Sequence, residues 1–194
     1  SSSGEFTFDK LLLTFAPEIL SNIQTPFDSE YIKKACKIKY KANICMFIRL
    51  KKQITPYYWI TVADKELPFV LLVEHTNFAS SKEYDSHIIY LSRYIDEKDS
   101  LFKLSDNEIS TMFLNGLKKF YPNISDEDII EYHLTKARFS QPVVLKNYSD
   151  IRLPLKTPIN NIYLANMASI YPEDRGQNYC AKLGKDVSKL MMEE

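Results

Sequence analysis

From residue 38 to residue 50 apolar and polar side chains alternate. Ile38, Tyr40, Ala42, Ile44, Met46, Ile48 and Leu50 fall on one parity, and Lys39, Lys41, Asn43 and Arg49 on the other, with Cys45 and Phe47 as exceptions. A two-residue period sends successive side chains to opposite faces, so this stretch predicts a long strand with one buried face. Tyr57 to Val62 and Pro68 to His75 predict two further strands around an Asp64-Lys65-Glu66 turn; Ser86 to Tyr94 and Ile129 to Phe139 predict two more. Asp9 to Pro17 is an apolar strand ending in a turn, with a short helix through Glu18, Ile19 and Leu20 after it. Ile162, Leu164 and Met167 lie in an apolar run bounded by Pro158/Asn160 and Pro172, which reads as a short buried strand.

Elsewhere the period lengthens to that of a helix. Asp28 or Ser29 caps a short helix carrying Tyr31, Ile32, Ala35 and Cys36 on one side. Ser105-Asp106-Asn107-Glu108 is a capping box, and Ile109, Met112, Phe113, Leu117 and Phe120 give the helix it opens one apolar face, closed by Tyr121-Pro122. Ser125 begins a shorter acidic turn. Cys180, Leu183, Val187, Leu190 and Met191 recur at helical spacing, predicting an amphipathic helix from Gln177 to Met192. Many strands and a few helices in no strict alternation indicate an α+β fold, with a mixed, mostly antiparallel sheet flanked by helices.

Composition narrows the function classes. Lys33, Lys34, Lys37, Lys39, Lys41, Arg49, Lys51 and Lys52 with interleaved tyrosines would suit a polyanion, yet basic and acidic residues balance at 25 each. No overall field then favours nucleic acid, and the solvated face of a sheet accounts for the lysines. No apolar run approaches the roughly 18 residues of a spanning helix, and no signal-peptide pattern appears. Cys36, Cys45 and Cys180 are far apart and odd in number, which points to reduced thiols, a cytoplasmic setting and no zinc site. Ser1-Ser2-Ser3-Gly4-Glu5-Phe6 reads as a cloning remnant.

The last part of the chain carries a further pattern: the strand Asn161-Ile162-Tyr163-Leu164-Ala165, a loop with Asp174-Arg175-Gly176, then the helix. A helix start after a tight loop aims free N–H groups and the positive end of the helix dipole at one point, where an anion or an electron-rich carbonyl would bind. This stretch resembles the C-terminal signature of the FAD-dependent amine oxidase and protoporphyrinogen oxidase-like superfamily. The resemblance implies that Gly176, Gln177 and Asn178 face the flavin carbonyl region, with Asp174 and Arg175 nearby. Where the family commonly has Gly-Asp after the strand this chain has Asn166-Met167, so Asn166 is left as a hydrogen-bond donor in place of a carboxylate. Only four glycines are present, and no dinucleotide-binding Gly-x-Gly-x-x-Gly loop can be made from them. The expectation is a C-terminal portion of a longer enzyme that lacks its N-terminal FAD-binding half and is inactive alone. Residues 7–27 would be a remnant of the FAD domain, 28–157 the substrate-binding domain and 158–194 the flavin-contacting segment.

Two places are candidates for substrate chemistry. Glu74-His75-Thr76-Asn77 ends an apolar strand; His75 can change charge near neutral pH, with Glu74 and Asn77 to orient it, or it is a hydrogen-bonded turn residue. In the resembling family this strand borders the cavity in front of the flavin. Arg138, in Lys136-Ala137-Arg138-Phe139-Ser140-Gln141-Pro142, would hold an anionic group bidentately or make a surface salt bridge. The resemblance thus implies an oxidoreductase that passes a hydride from an unidentified small molecule to flavin, with His75 and Arg138 on the substrate side. A flavin-dependent sugar-nucleotide mutase and a non-catalytic α+β module binding a protein or polyanion are the alternatives. Assembly into a homo-oligomer stays open.

Overall fold

The alternating stretch forms β2 (Tyr40–Leu50) in the computed structural model, which describes residues 4–193. Ser1-Ser2-Ser3 of the expected cloning remnant lie outside the described residues. β2 starts two residues later than its pattern because Ile38 packs instead with Tyr31 and Ala35 of the preceding helix. Beside it stand β3 (Trp59–Thr61), β4 (Leu71–Glu74), β5 (His87–Ile95) and β6 (Ile129–Pro142), in the sheet order β3-β4-β5-β2-β6. The pairs β3–β4, β4–β5 and β5–β2 are antiparallel. Backbone bonds from Lys51 to Asp128 and from Val143 to Lys39 bracket the β2–β6 pair, which is therefore antiparallel too. With its flanking helices the protein is α+β.

The chain divides into two compact units, one from Lys41 to Gln141 and one from the two terminal stretches, up to Tyr40 and from Pro142 onward. Residues 28–40 and 142–157, read from the sequence with the central sheet, pack in the terminal unit.

In the central unit Ala42, Ile44, Met46, Ile48 and Leu50 point into a core shared with Phe69, Leu72, Ile89 and Leu91. The lid of that core is α3 (Asp106–Phe120), preceded by the single-turn α2 (Ser100–Lys103). The Glu108 carboxylate accepts from the Ser105 N–H at 2.8 Å, and the Glu108 N–H donates to Ser105 Oγ at 3.3 Å, so the capping box forms as its spacing predicts. Ile109, Phe113 and Leu117 of α3 are fully buried, each worth about 1.5–3 kcal/mol of burial. Gly116 is what lets α3 approach: a Cβ there would lie 2.6 Å from the Pro68 ring and 3.2 Å from Phe69. The rigid pyrrolidine leaves no room for even one methyl group.

In the terminal unit β1 (Leu11–Leu13) runs parallel to β7 (Ile162–Leu164), with Leu12 opposite Tyr163. Only three residues of the longer apolar stretch 9–17 enter the strand; Pro17–Ser21 winds into a 3-10 turn. Asp28 caps α1 (Ser29–Ala35), its carboxylate accepting from the Tyr31 N–H at 2.8 Å. A single turn, α4 (Tyr148–Ile151), was not evident from periodicity, being too short to repeat. The last helix, α5 (Gln177–Met192), has the predicted bounds, and Leu183, Val187, Leu190 and Met191 pack on Tyr163, Ala165 and Leu12. Met167 leaves the apolar run for a 3-10 turn capped by Asn166.

Candidate functional site

The second face of the five-stranded sheet is built by the parity that breaks the alternation of β2. Cross-strand register places Trp59 opposite Val73, Val73 opposite Tyr90, and Tyr90 opposite Phe47. Side chains directly opposite on neighbouring strands share a face, so these four form one row from β3 to β2. The Phe47 and Tyr90 rings lie 5.6 Å apart, and Phe47 continues the row onto His133 of β6 at 6.1 Å. Beside it runs the row Thr61, Leu71, Ser92 and Cys45, small or polar at every position but Leu71. Asn43, next along β2, donates to Ser92 Oγ at 2.8 Å and to the Arg93 carbonyl at 3.3 Å. On the other side Arg49 is consumed locally: it reaches Glu131 at 2.9 Å, Ser86 Oγ at 3.1 Å and the Tyr84 carbonyl at 3.4 Å. Burial pushes the Tyr90 hydroxyl up, with Cys45, Tyr84 and Tyr58 adding to the shift. Burial likewise pushes the Cys45 thiol up against the opposing Ser92 hydrogen bond. Both therefore stay protonated at neutral pH, and the face carries no thiolate nucleophile.

His75 stands at this face, at the start of a 3-10 turn after β4. Its ring meets Tyr90 and Tyr84 edge-on, and Nε2 is 3.1 Å from the Tyr84 hydroxyl. The groups named from sequence as its orienters face elsewhere. Glu74 is 0% exposed and turns into the core side, where its two oxygens accept from the Ile54 N–H at 3.2 Å and the Thr55 N–H at 2.8 Å. Asn77 donates to the Thr55 and Tyr57 carbonyls. Both hold the 53–57 loop, and the orienting partner of His75 is Tyr84. Its place nine residues on, across an irregular loop, left no periodic signal to find it by.

Burial pushes the Glu74 carboxyl up from its ordinary 4.5, with the two N–H groups pulling the other way. A raised folded-state value means that the stability this group contributes is full below about 4.5 and lost as pH rises through the folded value. Wild-type protein is thus expected to lose stability with rising pH over that window more steeply than Glu74→Gln, read from urea midpoints at successive pH values. Parallel profiles would remove Glu74 as the cause.

Arg138 lies away from His75. Its Nε is bonded to Glu97, just past the end of β5, and its guanidinium sits 4.9 Å from the Phe139 ring. His75 and Tyr84, by contrast, flank the start of β5. The structure does not bring the two substrate-side candidates together.

The remaining candidates lie in the terminal unit. Gly176 is the N-cap residue of α5, and no side chain caps that end. Helix geometry leaves the N–H groups of Gln177, Asn178 and Tyr179 without an intrahelical acceptor. The turn into it is tight: the Gly176 N–H donates to the Asp174 carbonyl, and the Arg175 N–H to the Asp174 carboxylate at 2.8 Å. The φ of Gly176 is an ordinary −111°, so what the missing Cβ leaves is open space in front of the helix start. A Cβ there would meet Asn178 Oδ1 at 2.5 Å. Asn166 is occupied within the protein, Nδ2 donating to the Phe15 carbonyl at 3.0 Å and Oδ1 accepting from the Ala168 N–H at 2.9 Å. It ties the end of β1 to the end of β7.

The model of the family described as flavin containing amine oxidoreductase matches residues 1–173. No curated protein sequence matches the chain. Among solved structures, the chain is similar to a protein of Exiguobacterium sp. 255-15 provisionally named protoporphyrinogen oxidase. That likeness has a TM-score of 0.66 at 12% identity over 96% of this chain and 42% of the other. A putrescine oxidase redesigned in its cofactor binding gives 0.64 at 14% identity, over 95% of this chain and 43% of that one. A reduced UDP-galactopyranose mutase gives 0.58 at 16% identity, over 77% and 33%. The chain spans less than half the length of each of these proteins.

Proposed function

We propose that this chain, which belongs to the family of flavin containing amine oxidoreductases, supplies the substrate-facing sheet and the flavin-contacting helix start of an FAD-dependent oxidoreductase. The observation that carries the reading is the uncapped start of α5 at Gly176. Unpaired N–H groups at a helix start favour a polar, electron-rich partner, and the absence of a Cβ at Gly176 keeps the approach open. The residues present therefore fit the ring end of a flavin; with four glycines and no dinucleotide loop, they do not fit its adenosine end. When bound, flavin supplies the two-electron redox chemistry.

This chain's own part is to hold and orient. Gln177 and Asn178 would offer their backbone N–H groups to the electron-rich ring of a bound flavin. The aromatic row positions the substrate, and His75, fixed by Tyr84, stands beside it as the group to exchange a proton with the substrate. Arg138, already engaged with Glu97, is the less favoured of the two substrate-side candidates. A neighbouring flavin-binding sheet would also account for β1, since a parallel pair is ordinarily buried inside a larger sheet. Yet Leu11, Leu12 and Leu13 are only half-buried, and the outer edge of β1 has no strand beside it among the described residues. Asp174 and Arg175 keep their place in the reading through the turn they build in front of Gly176, and Asn166 by fixing the two strands behind it.

A longer protein joining this chain to its dinucleotide-binding half is expected to purify yellow, or to take up FAD with the visible absorbance of a bound flavin, while the chain alone stays colourless. A longer protein that is colourless and ignores added FAD would sink the reading.

A further inference from the structure

We infer that the row from Trp59 to Phe47 binds a flat, uncharged ring compound bearing a hydroxyl or carbonyl oxygen, of the phenol, hydroquinone or quinone class. The inference rests on the reading of this sheet face as substrate-facing and adds the chemistry of what lies there. Three observations carry it. The row itself is continuous: Trp59, Val73, Tyr90 and Phe47 are in direct register on four neighbouring strands. At about 4.8 Å per strand it runs roughly 14 Å, longer than two fused six-membered rings. Its rings are available, with Trp59 58% exposed and Phe47 and Tyr90 half-buried.

Charge selects against the obvious alternatives. At the face positions fixed by register or contact, the permanent charges are Arg49 with Glu131, at 2.9 Å, and Lys41 with Asp96, at 3.9 Å, and each pair neutralises itself. The remaining guanidinium contacts go to Ser86 and Tyr84. A diamine would find no unpaired carboxylate at these positions and a diphosphate no unpaired cation, so each would lose its hydration without a counter-charge. An uncharged ring loses little and gains stacking contacts.

Past Cys45, one position further along that face of β2, lies an oriented acceptor. Both N–H groups of Asn43 are committed, to Ser92 Oγ and the Arg93 carbonyl, which turns Oδ1 into the atom left to receive a ligand hydroxyl. The Tyr90 hydroxyl, held protonated, is the complementary donor for a ligand carbonyl.

The chain reports on this site by itself, because Trp59 is its single tryptophan. Titration with hydroquinone and with 1,4-naphthoquinone, followed by Trp59 emission and by calorimetry, is expected to give saturable binding in the micromolar to millimolar range. Putrescine and UDP, as a dication and a diphosphate, are expected to leave the emission unchanged. Phe47→Leu keeps the volume and removes the ring, and should weaken binding by about tenfold; Asn43→Ala should weaken hydroquinone more than naphthoquinone. Binding of putrescine or UDP as tight as that of the neutral rings would overturn the proposal. So would non-saturable quenching, or an unchanged midpoint in Phe47→Leu. Because no flavin enters the assay, the two readings fail separately: a longer protein that ignores added FAD would refute the flavin reading, while ring binding by this chain would leave the ring site standing.

Discussion

Replacing Gly176 by leucine in the flavin-loaded protein is expected to weaken FAD binding by about 100-fold, ~2.7 kcal/mol. The side chain would start where an added Cβ already meets Asn178 Oδ1 at 2.5 Å, and would extend in front of the free N–H groups of Gln177 and Asn178. Losing two hydrogen bonds from a helix start to an electron-rich ring at about 1–1.5 kcal/mol each accounts for the magnitude. The fold itself should survive. The φ of −111° suits any residue, and Asn178, a flexible side chain, can swing aside. The measurement is a flavin titration followed by absorbance, beside a thermal melt of the same sample. Wild-type affinity in Gly176→Leu would show that the ring does not lie against the start of α5. Loss of flavin together with a collapsed melt would place the defect in folding.

Phe113→Ala should have the largest effect on stability. Phe113 is fully buried in the middle of α3, meets Phe69 edge-on at 6.0 Å, and lies against the core face of the sheet. Removing a buried phenyl ring costs about 3–5 kcal/mol, since the transfer energy is lost and the cavity only partly relaxes. The neighbours here are poorly placed to collapse. Pro68 is pinned against Gly116, and Phe69 is already held by a second edge contact with Phe120 at 6.5 Å. For a unit of this size, at about 4 °C or more per kcal/mol, the melting midpoint should fall by at least about 12 °C. Met112, on the same helix but partly exposed, is the natural control. A loss below about 1 kcal/mol in Phe113→Ala would mean that α3 does not close this core.

Much of the fold was legible because periodicity follows from backbone geometry alone. The alternation through Ile44, Met46 and Ile48 fixed β2 and the face it buries, and the spacing of Leu183, Val187 and Leu190 fixed both the bounds and the inner face of α5. Ser105 and Glu108 gave the start of α3, since a capping box is a contact within one turn. Strand ends were less legible: β3 and β4 are shorter than their apolar runs, because a strand lasts only as long as its neighbour in the ladder.

The site divides the same way. A tight turn before a helix is local, so Asp174, Arg175, Gly176 and the free N–H groups behind them were readable in order along the chain. Even the aromatic face of the sheet left a trace, in the two residues that broke the alternation, Cys45 and Phe47. Which residues stand opposite them was decided by register between strands distant in sequence, and a shift of one residue would have put a different set on the face. Tertiary structure alone turned Glu74 away from His75 and brought Tyr84 to it, closed Arg49 on Glu131, and tied Arg138 to Glu97. Hydrogen bonds and charge pairs form between side chains that the fold brings within about 3 Å, and sequence separation carries no information about that distance once the chain has turned.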